Sequence, residues 1–134
     1  MTDARPSTLR TPLGRVRYLG SARAGTHHFW RQRVTAVALL PLTIAFIIII
    51  TSLLGRNHAA VVQVVGSPPV AILMLLFIVT SAYHMWLGMQ VVIEDYVHDD
   101  LRKFLLLMLN GFLSFAIALG SMFAILKLSF MFGV

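Results

Sequence analysis

There is no cysteine in this 134-residue chain. That excludes a disulfide framework, and equally an iron–sulfur cluster ligated by cysteines of the chain itself. Charge is scarce too: Asp, Glu, Lys and Arg make up 12% of the residues, against 58% hydrophobic ones. A small soluble domain of that composition cannot cover its surface with polar groups, whereas a bilayer acts as solvent for the apolar excess. Acids are scarcest, and four of the five lie between Glu94 and Asp100. No internal repeat, low-complexity linker, flavin-binding motif or recognisable nucleic-acid-binding motif occurs.

Three long apolar runs stand out, at residues 34–54, 70–93 and 104–130. Each meets the roughly 20 residues that a helix needs to cross a hydrocarbon core of about 30 Å. Backbone exposed to lipid must satisfy its own hydrogen bonds, so helices are the expected form. The fold class is therefore an all-α integral membrane protein with three transmembrane helices. Pro41 falls inside the first run and is expected to kink it. The segment GRNHAAVVQVVGSPP reads as the first connection, with Gly55 ending one helix and Ser67, Pro68 and Pro69 leading into the next. The second connection, EDYVHDDLRK, is short and highly charged.

The positive charge is gathered at one end. Residues 1–33 hold seven arginines (Arg5, Arg10, Arg15, Arg17, Arg23, Arg31 and Arg33) against the single acid Asp3. Beside an apolar span, clustered arginine fixes orientation rather than binding nucleic acid. The arm at 1–33 is expected to stay cytoplasmic, and residues 94–103 then share its face while the C-terminus lies opposite. The acid-poor arm also has the composition of a mitochondrial transit peptide, but HHFWRQR runs into the first helix without a processing boundary. A bacterial inner membrane is accordingly preferred to a mitochondrial one.

Of the five histidines, only His84 lies well inside a span. It is ten residues before Glu94, so about 15 Å from that helix end. Ionisable groups at such depth usually face a bundle interior and carry function. Three readings stay open for it: an interhelical hydrogen bond, a proton relay, or a ligand to haem iron. Gly88 lies one turn on, and Asp95 recurs only about 20° round the helix from His84. A glycine beside a ligand gives a flat ring room to approach, but small residues also serve ordinary helix packing. One buried histidine supplies one axial ligand, so a low-spin haem here would take its other ligand from another chain or from a second copy. That makes the chain part of an obligate complex, a hetero-oligomeric helix bundle where the second ligand belongs to a different chain.

The edge of the membrane offers further candidates. Arg31 and Arg33 sit where anionic haem propionates favour arginine, although both also suit lipid headgroups. Tyr96 and Asp95 sit where a lipid quinone could keep its ring near protons and its tail in lipid. An interfacial tyrosine is also ordinary in an aromatic belt.

HMWLGMQVVIEDY, with the pattern His-x3-Gly-x6-Asp-Tyr from His84 to Tyr96, resembles the smaller membrane-anchor subunit of succinate dehydrogenase (complex II). A second match is H-x-F-x3-R-x-T-A, at His27, Phe29, Arg33, Thr35 and Ala36. The resemblance covers roughly residues 25–130. Arg31 and His28 depart from the family pattern, which bears on the propionate contacts. Met89 and Gln90 after Gly88, where the larger anchor has an arginine-histidine pair, assign the smaller subunit.

The resemblance implies a single membrane-anchor domain over 1–134. His84 would be an axial ligand of a b-type haem shared with the larger anchor subunit. Gly88, Arg33, Arg31 and His27 would border that cofactor, and Tyr96, with Asp95, would bind ubiquinone. Catalysis would not reside in this chain alone. FAD and the iron–sulfur clusters would belong to a flavoprotein subunit and an iron–sulfur subunit docked on the cytoplasmic face. The competing expectations are an anchor of a quinol:fumarate reductase and a haem-free structural or assembly subunit. A small transporter or proton channel is the third, but the first and third spans offer few polar groups beyond Thr43, Asn110, Ser114 and Ser121.

Overall fold

A computed structural model describes residues 24–132. They form four helices: α1 (Ala24–Ser52), α2 (His58–Gly66), α3 (Pro68–Tyr96) and α4 (Asp100–Phe132). Three of these, α1, α3 and α4, are long and apolar enough to cross a membrane. The 29 residues of α3 extend about 43 Å, more than a hydrocarbon core requires, so both its ends reach the headgroup region. Helix α1 begins at Ala24, ahead of the apolar run, and carries His27, His28, Arg31 and Arg33 on its first turns. The arm's remaining arginines, Arg5 to Arg23, lie outside the described residues. Helix α1 is continuous through Pro41, where the ring deletes one backbone donor.

The chain between Gly55 and Pro69 is more than a connection. Nine of its residues form α2, despite the low helix propensity of its valines. Asn57 starts the helix by accepting a bond from the Ala60 amide at 2.9 Å, and Gly55 turns the chain into it at φ +75°. Packing does the rest. Val62, Val65 and Gly66 are buried where α2 lies against α3 and α4. Val65 joins Ala71, Met74 and Ile125 in a small core, with Phe46 of α1 and Leu53, just beyond its end, packed against it. Ser67 ends α2 and precedes α3, and Pro68 occupies the first helical position, where a missing N–H costs nothing.

Helix α3 packs on both α1 and α4, while α1 and α4 make no contact with each other. The spans therefore form an open row with α3 in the middle, not a closed bundle. No described side chain of α1 is buried. Leu87 of α3, at 1% exposure, is the only large side chain fully enclosed among the described residues. Between α1 and α3 the rings of Phe46 and Phe77 stack with centroids 4.5 Å apart. Between α3 and α4, Asn110 donates to the carbonyl of Trp86 at 3.0 Å. In lipid, where no hydrophobic force draws helices together, such van der Waals and polar contacts are what hold them.

The tight charged turn is built from its own acids. The carboxylate of Asp99 accepts from the Arg102 amide at 2.8 Å and caps α4, while Lys103 donates to the Glu94 carbonyl at 3.2 Å and caps the end of α3. Gln90 donates to Glu94 at 2.8 Å. These acids, which oppose the helix dipole at the end of α3, thus gain a structural use through α4 and its lysine.

Candidate functional site at the α1–α3 contact

His84 stands on the side of α3 that meets α1. Its Nδ1 lies 2.8 Å from the hydroxyl oxygen of Thr35. The same hydroxyl is 2.8 Å from the carbonyl of Arg31 and 3.0 Å from that of Gln32, the two acceptors a helical threonine normally reaches one turn back. The other ring nitrogen, Nε2, takes part in no hydrogen bond among the described residues. His84 is half-buried, held by one nitrogen and left with the other.

One turn on, Gly88 faces Gln32 of α1. A Cβ added there would meet the Gln32 amide nitrogen at 3.8 Å, an ordinary contact. Close approach of α1 and α3 backbones therefore does not demand this glycine. It lies on the same helical side as His84, about 40° away.

The cationic candidates divide. His27 and Arg31 line a cleft of about 490 Å³ with His28, Trp86, Leu87 and Gln90. Nε2 of His28 is buried there without a hydrogen-bond partner. Arg33 points about 200° round the helix from Arg31, and its guanidinium lies over the Phe29 ring, 4.4 Å from the centroid. A cleft with an arginine and two imidazoles suits an anionic carboxylate or phosphate. The structure thus brings His27 and Arg31 together and holds Arg33 apart from them.

Asp95 and Tyr96 occupy the last turn of α3 and are exposed, Tyr96 by 79%. Along the axis they stand about 16–18 Å from His84, at the end where α1 begins. Neither forms a side-chain hydrogen bond among the described residues, so the phenol and the carboxylate are both open to a ligand or a neighbouring subunit. A second cavity, of about 430 Å³, lies between α3 and α4 against Val79, Ala82, Trp86 and Phe115. It is apolar and opens on the side of α3 away from His84.

No group of three or more His, Asp or Glu side chains that could hold a bare metal ion occurs among the described residues. A haem iron asks less of the protein, since the macrocycle supplies four ligands and the chain only an axial one. His84 fits that requirement through Nε2, with Gly88 leaving room beside it.

Three participants carry little sequence signal as partners. Thr35 lies 49 residues from His84, and only its place in the upstream pattern hints at a role. His28 is noticed in the sequence only as a departure from the family pattern, and Gln32 enters through the geometry alone.

Comparison with known proteins gives the family. Residues 7–119 match the family model of the succinate dehydrogenase/fumarate reductase transmembrane subunit. The hydrophobic membrane anchor subunit of succinate dehydrogenase from Paracoccus denitrificans is 34% identical over 93 residues, 69% of this chain and 72% of that one. Its counterpart from Rickettsia bellii is 32% identical over 104 residues, 77% of this chain and 83% of its own. That from Rickettsia typhi is 37% identical over 94 residues, covering 69% and 74%. No solved structure matches significantly. With three spans, a histidine deep in the middle one, and a match over most of its length, the chain belongs to the succinate dehydrogenase/fumarate reductase transmembrane subunit family.

Proposed function

We propose that the chain anchors a succinate:ubiquinone oxidoreductase in a bacterial inner membrane, shares a b-type haem with a larger anchor subunit, and completes a quinone site. The observation that carries this reading is His84: a span-embedded imidazole with one nitrogen engaged by Thr35 and the other unpaired. The names of the relatives, all succinate dehydrogenase anchors, favour the dehydrogenase over the fumarate reductase reading. The open row supports a partner, because a haem would need a second wall, which the described residues do not form.

In this reading His84 holds the iron and Gly88 admits the ring. His27 and Arg31 give donors to its carboxylates, and Arg33 adds positive charge on the other face of α1. When bound, the haem supplies a reversible one-electron store. Tyr96 donates a hydrogen bond to a quinone carbonyl oxygen, and Asp95 holds the adjacent water or cation. Reduction of the quinone to quinol consumes two electrons and two protons. The electrons come from succinate through a flavoprotein and an iron–sulfur subunit, since the chain has no cysteines for clusters. The protons enter at the membrane edge, where Tyr96 is exposed. The arginine-rich arm sets that edge on the cytoplasmic side.

The test is a reduced-minus-oxidised visible spectrum of the complex purified through this chain, beside His84→Ala. A b-type spectrum lost or shifted in the variant supports the reading. An unchanged b-type spectrum in His84→Ala overturns His84 as the ligand, and no haem in the intact complex overturns the cofactor reading and leaves a haem-free anchor.

A further inference from the structure

We propose that Thr35 is a positioning residue for His84: its hydroxyl oxygen accepts the imidazole Nδ1–H, fixing the tautomer in which Nε2 carries the free lone pair. The inference rests on the haem reading above and adds to it the residue that selects the ligating atom.

A threonine hydroxyl has one hydrogen and two lone pairs. Three groups surround that of Thr35: the carbonyls of Arg31 and Gln32, at 2.8 and 3.0 Å, and His84 Nδ1 at 2.8 Å. The two carbonyls can only accept. With the hydrogen directed at them, the oxygen turns a lone pair to His84, and Nδ1 must donate. The opposite assignment would put the hydrogen on Nε2, which has no acceptor among the described residues. An unpaired N–H inside a membrane span is costly, whereas an unpaired nitrogen lone pair is what a metal requires. Both considerations select the same tautomer.

The contact also fixes direction. Thr35 belongs to α1 and His84 to α3, so the ring is tied to a different helix from the one that carries it. Threonine's branched Cβ leaves few rotamers in a helix, and the bond to the carbonyls one turn back holds one of them. The acceptor is therefore stiff. An acceptor on the distal imidazole nitrogen orients a ligating histidine and raises its basicity, and such partners typically matter about 10-fold or more in metal affinity. A more basic ligand favours the ferric over the ferrous iron, so removing the acceptor should raise the haem's midpoint potential.

The experiment compares Thr35→Val, which keeps the shape and removes the hydroxyl, with Thr35→Ser, which restores it. Both are read in the purified complex by haem-to-protein ratio, spectroelectrochemical midpoint potential and the electron paramagnetic resonance of the ferric haem. The expected result is an upward shift in potential, altered ferric g-values and weaker haem retention in Thr35→Val, with Thr35→Ser close to the parent. Identical potential and g-values in Thr35→Val and the parent overturn the proposal. If Thr35→Val does not assemble, Thr35→Cys, a weaker acceptor of similar size, is read against Thr35→Ser. A shift in the cysteine variant alone supports the role, and no shift in either overturns it. His84→Ala separates the two levels. Haem lost there but indifferent to Thr35 sinks only this inference, and haem unaffected by His84→Ala sinks the ligand reading and this one together.

Discussion

At the scale of single residues, Tyr96 offers the most direct test of the quinone reading. Its phenol stands 79% exposed on the last turn of α3, so removing the hydroxyl disturbs no packing within the chain. Tyr96→Phe is expected to lower succinate-driven quinone reduction about 5–10-fold, the equivalent of one hydrogen bond to the substrate. Reduction of a soluble dye by the peripheral subunits should stay unchanged, and a quinone rate equal to the parent's would remove Tyr96 from the site. Asn110 is the structural counterpart. It is only 8% exposed and gives its amide to the Trp86 carbonyl across α3 and α4. Asn110→Leu is expected to cost about 1 kcal/mol of stability, read as a lower denaturation midpoint in detergent, because interhelical hydrogen bonds in membranes are modest. His84 could be found from sequence because an imidazole in an apolar run is anomalous on its own. Thr35 and Asn110 could be seen but not assigned partners, since a hydroxyl or amide in a span signals nothing until the facing helix is known. The family pattern includes both Arg33 and His27, yet that His27 lines a cleft against α3 while Arg33 lies over Phe29 emerges only when α1 is docked on α3.

Among the elements, the three spans follow from apolar length alone, because a bilayer permits little else. The charged residues at the ends were harder to assign: His27 to Arg33 read as an arm, but the helix already includes them. Helix α2 was not legible, since its nine valine-rich residues favour no helix by themselves and need the ends of α3 and α4 to bury Val62 and Val65. Its cap is therefore worth testing. Asn57→Ala removes the bond to the Ala60 amide and is expected to cost about 1 kcal/mol, with faster proteolysis between α1 and α3. Gly55→Ala should add a cost of similar size, about 1 kcal/mol, by forcing a Cβ into a left-handed backbone at φ +75°. At the other turn, Asp99→Ala should loosen the start of α4 by about 1 kcal/mol. Equal protease sensitivity in Asn57→Ala and the parent would mean that packing alone holds α2.

For the molecule as a whole, the row of α1, α3 and α4 leaves both broad faces of the middle helix without a covering span from the same chain. The sequence raises the expectation of a partner, from the ligands that a haem would need, but carries no sign that the spans form a single layer. Helix order in space depends on pairwise packing that apolar composition hardly encodes. The layer also fixes a topology that can be checked. Two crossings, α1 and α3, bring the turn at His98 back to the side where α1 begins, and the single crossing of α1 puts the start of α2 at His58 on the opposite side. By the proposed orientation, the arginine excess makes the first side the expected cytoplasmic one. The absence of cysteine makes the check free of background from this chain. His58→Cys and His98→Cys each place one thiol at an exposed position outside the spans. A membrane-impermeant maleimide added to intact spheroplasts should label the variant at 58 and spare that at 98, and inverted vesicles should reverse the pattern. Reversal of both results would turn the chain over, moving Tyr96 and the quinone edge to the outer face. Labelling of both positions from one side would be incompatible with α3 crossing the bilayer. The expected pattern places the open phenol on the face where soluble electron donors and protons are available, which is what quinone reduction at that edge requires.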